Sequence, residues 1–538
     1  MKKILIILTM MIFVFLIHAN EYLIYLNDSP DYNPPKLKED LSNRSEIINM
    51  KKENLSNSVS AFYRDNYVMR DDFEIIDAFW CANILHIRSD KSLDEIKDLM
   101  NVKGVYENKV EKRMPEEKAE IVNASAISRT DLYTYGLLNL DIPKIWSELG
   151  LKGNGVLVGI LDDMVDLDHK DLNGKIVAWF DIDGNTSPTP DPRSHGTHVT
   201  GTIVGGDKGG AYIGVAPEAK VVYSNPWSQK HDPLVSDFIT AMQFFLDPDG
   251  NPNTNDFPRV VNNSWSSTGL TYYKPVIDAW IELGIIPVFA AGNDGEKGAG
   301  TITLLNSYEK LIVIGAVDVN KKIASFSSIG PGYYVENSEA KLTKKPEFCA
   351  PGVDVISSYN DDKYAKMSGT SMATPHVVGL IALMLQANPN LTIENVRDIL
   401  KLASVDGGEA GYDYIYGHGV IDGYQAVLAA SAVPRWDKNS LIVSSVQNGR
   451  FTFKGMAYIN PSAKLSKIKV YVNDSVVYED DFTDVSNKRF QFTFSSSNML
   501  GYHTYTVIEN LGSGTKDVKI EVVSDKGTKS SYEFTRNL

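Results

Sequence analysis

Val156-Leu157-Val158-Gly159-Ile160-Leu161, followed at once by Asp162-Asp163, is the stretch on which the fold turns. Its apolar residues run without a polar alternation, which suits a strand buried on both faces of a parallel sheet. Val221–Tyr223, Arg259–Asn262, Ile285–Ala291 and Leu311–Val317 have the same character, and Val235–Leu246 and Tyr273–Leu283 between them have helical periodicity. Strands alternating with helices from about 130 to 432 predict an α/β fold, a parallel sheet flanked by helices. Reactive side chains in such sheets gather beyond the carboxyl ends of the strands. Asp162 stands at one such end, well placed to orient an imidazole.

Outside this region the pattern changes. Lys2 and Lys3 precede an apolar run from Ile4 to Ile17 and then His18-Ala19-Asn20. This predicts a signal peptide over 1–19, cleaved at Ala19-Asn20, and a secreted, extracellular protein, with an uncleaved anchor as the alternative. No later stretch is expected to span a membrane. Residues 20–125 begin polar and mixed and then give a small α+β unit: a strand at Ala82–Ile87, a helix at Ser92–Met100 and a returning strand at Gly104–Tyr106. Ser92 and Glu95 have the spacing of a capping box. Arg113–Ala126 reads as an exposed connector to a domain over 126–432. Past Pro434, the segments Thr452–Tyr458, Lys467–Tyr471, Arg489–Phe494, Tyr502–Ile508 and Lys519–Val523 alternate polar and apolar residues. They predict a β-sandwich, immunoglobulin-like in size, over 433–538.

A chain of 538 residues exceeds one compact core, and 43% hydrophobic with 22% charged residues is ordinary for globular protein. The net charge of -15 argues against nucleic acid or an anionic membrane surface as partner. Cys81 and Cys349 are the only cysteines, so no disulfide framework holds the fold.

Two further clusters carry chemistry. In Ser194-His195-Gly196-Thr197-His198-Val199-Thr200-Gly201 small residues permit tight packing of a helix that starts near His195. His195 and His198 have the spacing of two metal ligands on one helix face, but no third patterned ligand completes a zinc site. In Ser368-Gly369-Thr370-Ser371-Met372-Ala373-Thr374-Pro375-His376, Pro375 requires a first helical turn nearby, so a helix should begin around Ser371. The residues after it are apolar nearly all round, as in a buried central helix. A serine at its mouth gains backbone N–H groups and the positive dipole end for stabilising an oxyanion.

In the order Asp, His, Ser these clusters resemble the signatures of subtilases, the subtilisin-like serine proteases, over about 130–430. Asp247-Pro248-Asp249-Gly250-Asn251-Pro252, Val261-Asn262-Asn263-Ser264-Trp265 and Pro287-Val288-Phe289-Ala290-Ala291-Gly292-Asn293 resemble the bacillopeptidase F branch of that superfamily. The resemblance implies a secreted serine endopeptidase acting on protein and peptide substrates. Its triad would be Asp162, His195 and Ser371, with Asn293 in the oxyanion hole. Ser264, Trp265, Ser266, Ala290, Ala291 and Gly292 would line the cleft, and Asp163 would lie near a substrate side chain. The unit from Ala82 to Tyr106 would be the inhibitory propeptide, a partner carried in the same chain. The chemistry needs no cofactor. Structural calcium is left open, at Asp171 with the loop Gly205–Ile213, at Asp181, Asp183 and Asn185, or at Asp247, Asp249 and Asn251, since ordinary Asp-Gly turns explain each loop as well.

Two departures stand out. Met164 replaces the family's glycine, which would strain a turn that needed a positive φ. Ser266 replaces the glycine usual after Ser-Trp, which narrows the primary pocket. Two other readings compete. An α/β-hydrolase esterase, with His418 as base, lacks the strand that should precede its nucleophile. A catalytically silent surface or adhesion protein on the same fold is at odds with intact triad and oxyanion residues.

Overall fold

The computed structural model describes residues 20–38, 40–67, 72–112, 118–122, 132–187, 194–336 and 338–432, with the segments 435–446, 450–458, 465–473, 475–481, 507–510, 515–524 and 529–537. The expected signal peptide over 1–19 and the strand at Arg489–Phe494 lie outside these residues. The chain forms two compact units. One comprises the chain up to Asn139, Lys152–Ala382 and Asp406–Val420; the other comprises Leu140–Leu151, Leu383–Val405 and the chain from Ile421.

The first unit begins with strand β1 (Asn20–Leu26), helix α1 (Arg44–Asp65), β2 (Phe73–Phe79), β3 (Ile84–Ser89), helix α2 (Leu93–Lys97) and β4 (Val102–Glu107). The strands pair antiparallel in the order β2-β3-β1-β4. Ser92 and Glu95 form the expected capping box, although α2 is shorter than its sequence pattern. Sequence reading missed β1 and α1, for identifiable reasons. In β1, Tyr22, Ile24 and Leu26 pack into the unit's own core while Leu23 and Tyr25 face a second core, so no polar alternation marks the strand. In α1 the buried residues include Arg44, Lys51, Asn54 and Ser58, which hides the helical stripe.

A three-residue strand, β5 (Glu120–Val122), follows within the stretch expected to be a connector. The main sheet then comprises β6 (Leu157–Leu161), β7 (Ile176–Asp181), β8 (Lys220–Asn225), β9 (Val260–Asn263), β10 (Ile286–Ala290), β11 (Ile312–Val317) and, after the hairpin β12 (Gly332–Glu336) and β13 (Glu339–Thr343), β14 (Phe348–Pro351). Among these seven strands of a nine-stranded sheet the order is β14-β11-β10-β9-β6-β8-β7, with every pair parallel. The α/β reading is correct, and β6 lies within a residue of the stretch that predicted it. Chain order reverses on either side of β6, where β8 and β9 flank it, and a switch point of this kind opens a crevice at the strands' carboxyl ends.

Four helices serve this sheet: α3 (His195–Val204), α4 (Val235–Phe244), α5 (Leu270–Glu282) and α6 (Thr370–Ala387). Before α6 the chain forms a hairpin of β15 (Val355–Tyr359) and β16 (Lys363–Met367), and β5 adds to the free edge of β16 with Glu120 opposite Lys366 and Val122 opposite Tyr364. By length and composition α6 could cross a membrane, contrary to the expectation that no such stretch follows the N-terminus; here it is a buried core helix. Cys81 and Cys349 are buried free thiols.

The β1–β4 sheet docks on α4 and α5. Leu23, Tyr25, Phe79 and Ile84 share a core with Phe238, Tyr273 and Trp280. Arg44 is almost fully buried, donates to the carbonyls of Leu246 and Leu283 near the C-terminal ends of these helices, and lies 3.5 Å over the Phe257 ring. A cation there meets the negative end of each helix dipole. Beyond β4 the Asn108 side chain receives the Ser236 N–H and donates to its hydroxyl, at 3.1 and 2.9 Å, which satisfies the start of α4.

In the second unit, helix Ile393–Ala403 starts on a capping box of Thr392 and Asn395. Beyond Ala432, Arg435–Val446, Arg450–Tyr458 and Val507–Asn510 form one antiparallel sheet. Leu465–Val472, Ser475–Asp481, Thr515–Ser524 and Lys529–Asn537 form another. Apart from the turn residue Asn473, the described residues in this region are strand.

Candidate active site

β6 ends on Leu161, and the next residue, Asp162, donates its N–H to Ser224 O on the neighbouring strand. Its side chain is 4% exposed overall, and Oδ1 accepts from His195 Nδ1 at 2.7 Å and from the Asp163 N–H at 2.8 Å. Oδ2 is buried with no hydrogen-bond partner. A carboxylate held this way fixes the imidazole's orientation, with Nδ1 as the donor.

His195 meets Asp162 because α3 begins at that residue. Ser194 before it adopts a left-handed φ of 56°, which turns the chain sharply into the helix. The Gly196 N–H is received by the Asp163 carboxylate at 2.8 Å, and a Cβ on Gly196 would stand 2.1 Å from the Tyr223 hydroxyl. Glycine is therefore required after the histidine. His198 is a packed residue, its Nε2 against Val355 O and Ala365 O at 2.9 and 3.2 Å. The two imidazoles thus bind different partners and are not held by the protein as a zinc pair.

Ser371 lies in the first turn of α6, 2% exposed, with Oγ 3.5 Å from Ser264 O; in return the Ser264 hydroxyl donates to Ser371 O at 2.9 Å. Thr370 ties this turn to the loop after β10. Its N–H and its hydroxyl both donate to Asn293 Oδ1 at 2.9 Å, and the same hydroxyl accepts the Gly292 N–H at 3.0 Å. The Asn293 amide is therefore fixed, with its oxygen edge on Thr370 and its N–H edge turned away. Gly292 has φ +104°, a conformation that disfavours a side chain. Sequence reasoning passed over Thr370; its place between Gly369 and Ser371 was the available signal.

The residues expected to line the cleft divide. Ser264 reaches Ser371, and Ser266 is half-buried. The Trp265 ring instead belongs to an aromatic core with Phe238, Tyr273 and Phe289, at 4.9, 5.5 and 5.5 Å. Ala290 and Ala291 are fully buried, tied to Asn306 Nδ2 and Ile314 O. Asp163 caps α3. Met164 is buried and absent from the positive-φ residues, so the strain that a methionine would bring to such a turn does not arise.

In the oxygen-rich loops most of the carboxylate oxygens are engaged by protein donors. Asp171 accepts the Lys208 N–H at 2.7 Å on one oxygen and the Tyr364 hydroxyl on the other. Asp183 accepts Ser228 Oγ and the Gln229 N–H, and Asp181 accepts from Asn225 and Asn185. Asp249 receives the Asn251 N–H, and Asp247 pairs with Lys52. Asp247 Oδ1, by contrast, is buried without a hydrogen-bond partner. Each loop is an Asx turn or an ion pair.

A parallel sheet with a carboxylate–imidazole pair at its switch point, and a serine at the mouth of a buried helix, defines a hydrolase site of the serine type. The model of the subtilase family matches residues 153–419. Bacillopeptidase F of Bacillus subtilis is 33% identical over 395 residues, covering 66% of this chain but only 26% of that protein's length. Subtilisin DY of Bacillus licheniformis is 35% identical over 294 residues, covering 54% of this chain and 96% of that protein. Serine protease AprX of Bacillus subtilis is 30% identical over 364 residues, covering 62% and 76%. The chain belongs to the subtilase family, the subtilisin-like serine endopeptidases.

His376, one turn past Ser371, makes the site acid-sensitive. Its Nδ1 faces Met372 O at 2.8 Å, Nε2 is buried without a partner, and burial lowers its pKa to about 4. A depressed histidine pKa stabilises the fold above the ordinary value of 6.5, and this stability is lost as pH falls toward 4. The full effect is about 3 kcal/mol. Urea denaturation at pH 7.5 and 4.5 should show wild type losing more stability than His376→Leu by up to that amount; equal losses would show that His376 titrates normally.

Proposed function

We propose that this protein hydrolyses peptide bonds through an acyl-enzyme on Ser371 and is made as an exported precursor that shortens itself. The observation that carries the reading is the buried Asp162–His195 hydrogen bond at the switch point of the sheet. His195 takes the Ser371 hydroxyl proton as Oγ attacks the substrate carbonyl carbon, then gives it to the departing amine as the C–N bond breaks. Water, deprotonated by the same imidazole, releases the acyl group. Asp162 keeps the Nδ1–H tautomer and stabilises the imidazolium. The Asn293 side-chain N–H and the Ser371 backbone N–H receive the oxyanion. The silent alternative is not favoured, since the family relatives are proteases and Met164 imposes no backbone strain.

Export rests on Lys2, Lys3 and the apolar run to Ile17. Self-shortening is supported by the path of the chain. Lys109 O accepts the Val235 N–H and Pro233 O accepts the Glu111 N–H, at 2.9 and 2.7 Å, an antiparallel ladder on the segment before α4. By Glu120 the chain has reached β16, which leads into Ser371. The N-terminal unit is the prosegment on this reading, and its tail crosses the cleft.

Two outcomes follow. Asn293→Ala should lower kcat by about 10²–10³ with little change in KM; an unchanged kcat would remove it from the oxyanion hole. Secreted wild type should begin at a residue between Val110 and Thr130, while Ser371→Ala should keep the whole prosegment, as read by N-terminal sequencing from a host lacking other exported proteases. Equal trimming of both would assign the cut to another protease.

A further inference from the structure

Glu111 is a carboxylic acid buried where the mechanism has no use for it. It is 9% exposed, and its Oε2 accepts the Tyr273 hydroxyl at 2.7 Å; the Ser267 side chain bonds it as well. Tyr273 is fully buried, and burial beside Glu111 holds its phenol far above the ordinary range, so it remains a donor. Trp265 and Phe238 close the surroundings with apolar rings, at 5.5 and 6.1 Å from Tyr273.

The position of this pocket along the cleft follows from one short segment. Ser264 O lies 3.5 Å from Ser371 Oγ, and Ser267 is three residues further on. Three residues span at most about 10 Å even when fully extended, which bounds the distance of Ser267 from Ser264 beside the nucleophile. That is the reach of about three substrate residues. The direction agrees: nine residues after Glu111 the chain pairs Glu120 with Lys366, five residues before Ser371.

We infer that Tyr273 and Ser267 form a polar specificity pocket for a glutamine or glutamic acid side chain, about three residues before the one that donates the scissile carbonyl. In the precursor Glu111 fills it. The inference rests on the proteolytic reading above. Burial raises the Glu111 carboxyl against the hydrogen bonds of Tyr273, Ser267 and the Lys112 backbone, and a carboxamide oxygen offers the same acceptor with no charge to bury. An aliphatic side chain leaves the buried Tyr273 donor unmatched.

The test is a peptide series that differs only at this position, cleaved at pH 7 by the processed enzyme. Glutamine should exceed alanine in kcat/KM by roughly tenfold, the value of a matched hydrogen bond in a dry site. Tyr273→Phe, which keeps the ring, and Ser267→Ala should each move the glutamine/alanine ratio toward one. A leucine preference, or a ratio unmoved by Tyr273→Phe, would overturn the pocket. If no peptide is cleaved, the proteolytic reading fails instead, and the pocket is judged on the uncut Ser371→Ala chain. There Glu111→Gln should protect the Lys112 bond from trypsin as wild type does, and Glu111→Leu should lose at least tenfold in protection. Equal protection by leucine would contradict it.

Discussion

The hydrogen bond between Asp162 and His195 is the constraint around which this half of the molecule is arranged. It demands that a helix begin at the residue facing the end of β6, and the chain meets that demand at a cost. Ser194 sits in the left-handed region, worth about 1–2 kcal/mol for a residue with a Cβ. Gly196 leaves room for the Tyr223 hydroxyl. The neighbouring carboxylate, Asp163, accepts the Gly196 N–H, a charge-assisted bond of about 1.5–3 kcal/mol that offsets the strain. Asp162 and Asp163 therefore divide two tasks that one carboxylate could not perform, holding the imidazole and holding the helix that carries it.

Thr370 does for the other side of the cleft what Asp163 does for this one. Its hydroxyl accepts from Gly292 and donates to Asn293, so the loop after β10 and the first turn of α6 share one hydrogen-bonded joint. Both joints lie at carboxyl ends of parallel strands, where side chains of distant sequence positions meet on a rigid base. The tail after β4 uses the same geometry. It makes backbone contacts with residues 233–235 and, further along, pairs with β16.

The parallel sheet and the polar clusters were legible because each leaves a local mark. Val156–Leu161 has no polar side chain and is followed by a carboxylate, and α6 starts within a residue of the expected Ser371, although Pro375 lies inside the helix and not in its first turn. The N-terminal unit was legible only in part. Ala82–Tyr106 carries a capping box, but β1 is buried on both faces and α1 buries Arg44 and Lys51, so neither shows a periodic stripe. β5 is held by backbone bonds at an exposed edge and needs no particular side chains. Trp265 looked like a cleft residue from its neighbours in sequence, yet a ring of that size is drawn into the aromatic core beside Phe238 and Phe289. The pocket at Glu111 joins residues 162 positions apart, a relation that sequence spacing does not record.

The central claim is that Ser371 is a nucleophile activated by the Asp162–His195 pair. A phosphonofluoridate probe, which phosphonylates an activated serine with loss of fluoride, addresses it directly on the processed protein. Peptide mapping by mass spectrometry should find one adduct per chain, on Ser371, with labelling slowed at least 10³-fold in His195→Ala. An adduct on another serine, or labelling of Ser371 at the same rate without His195, would contradict the account.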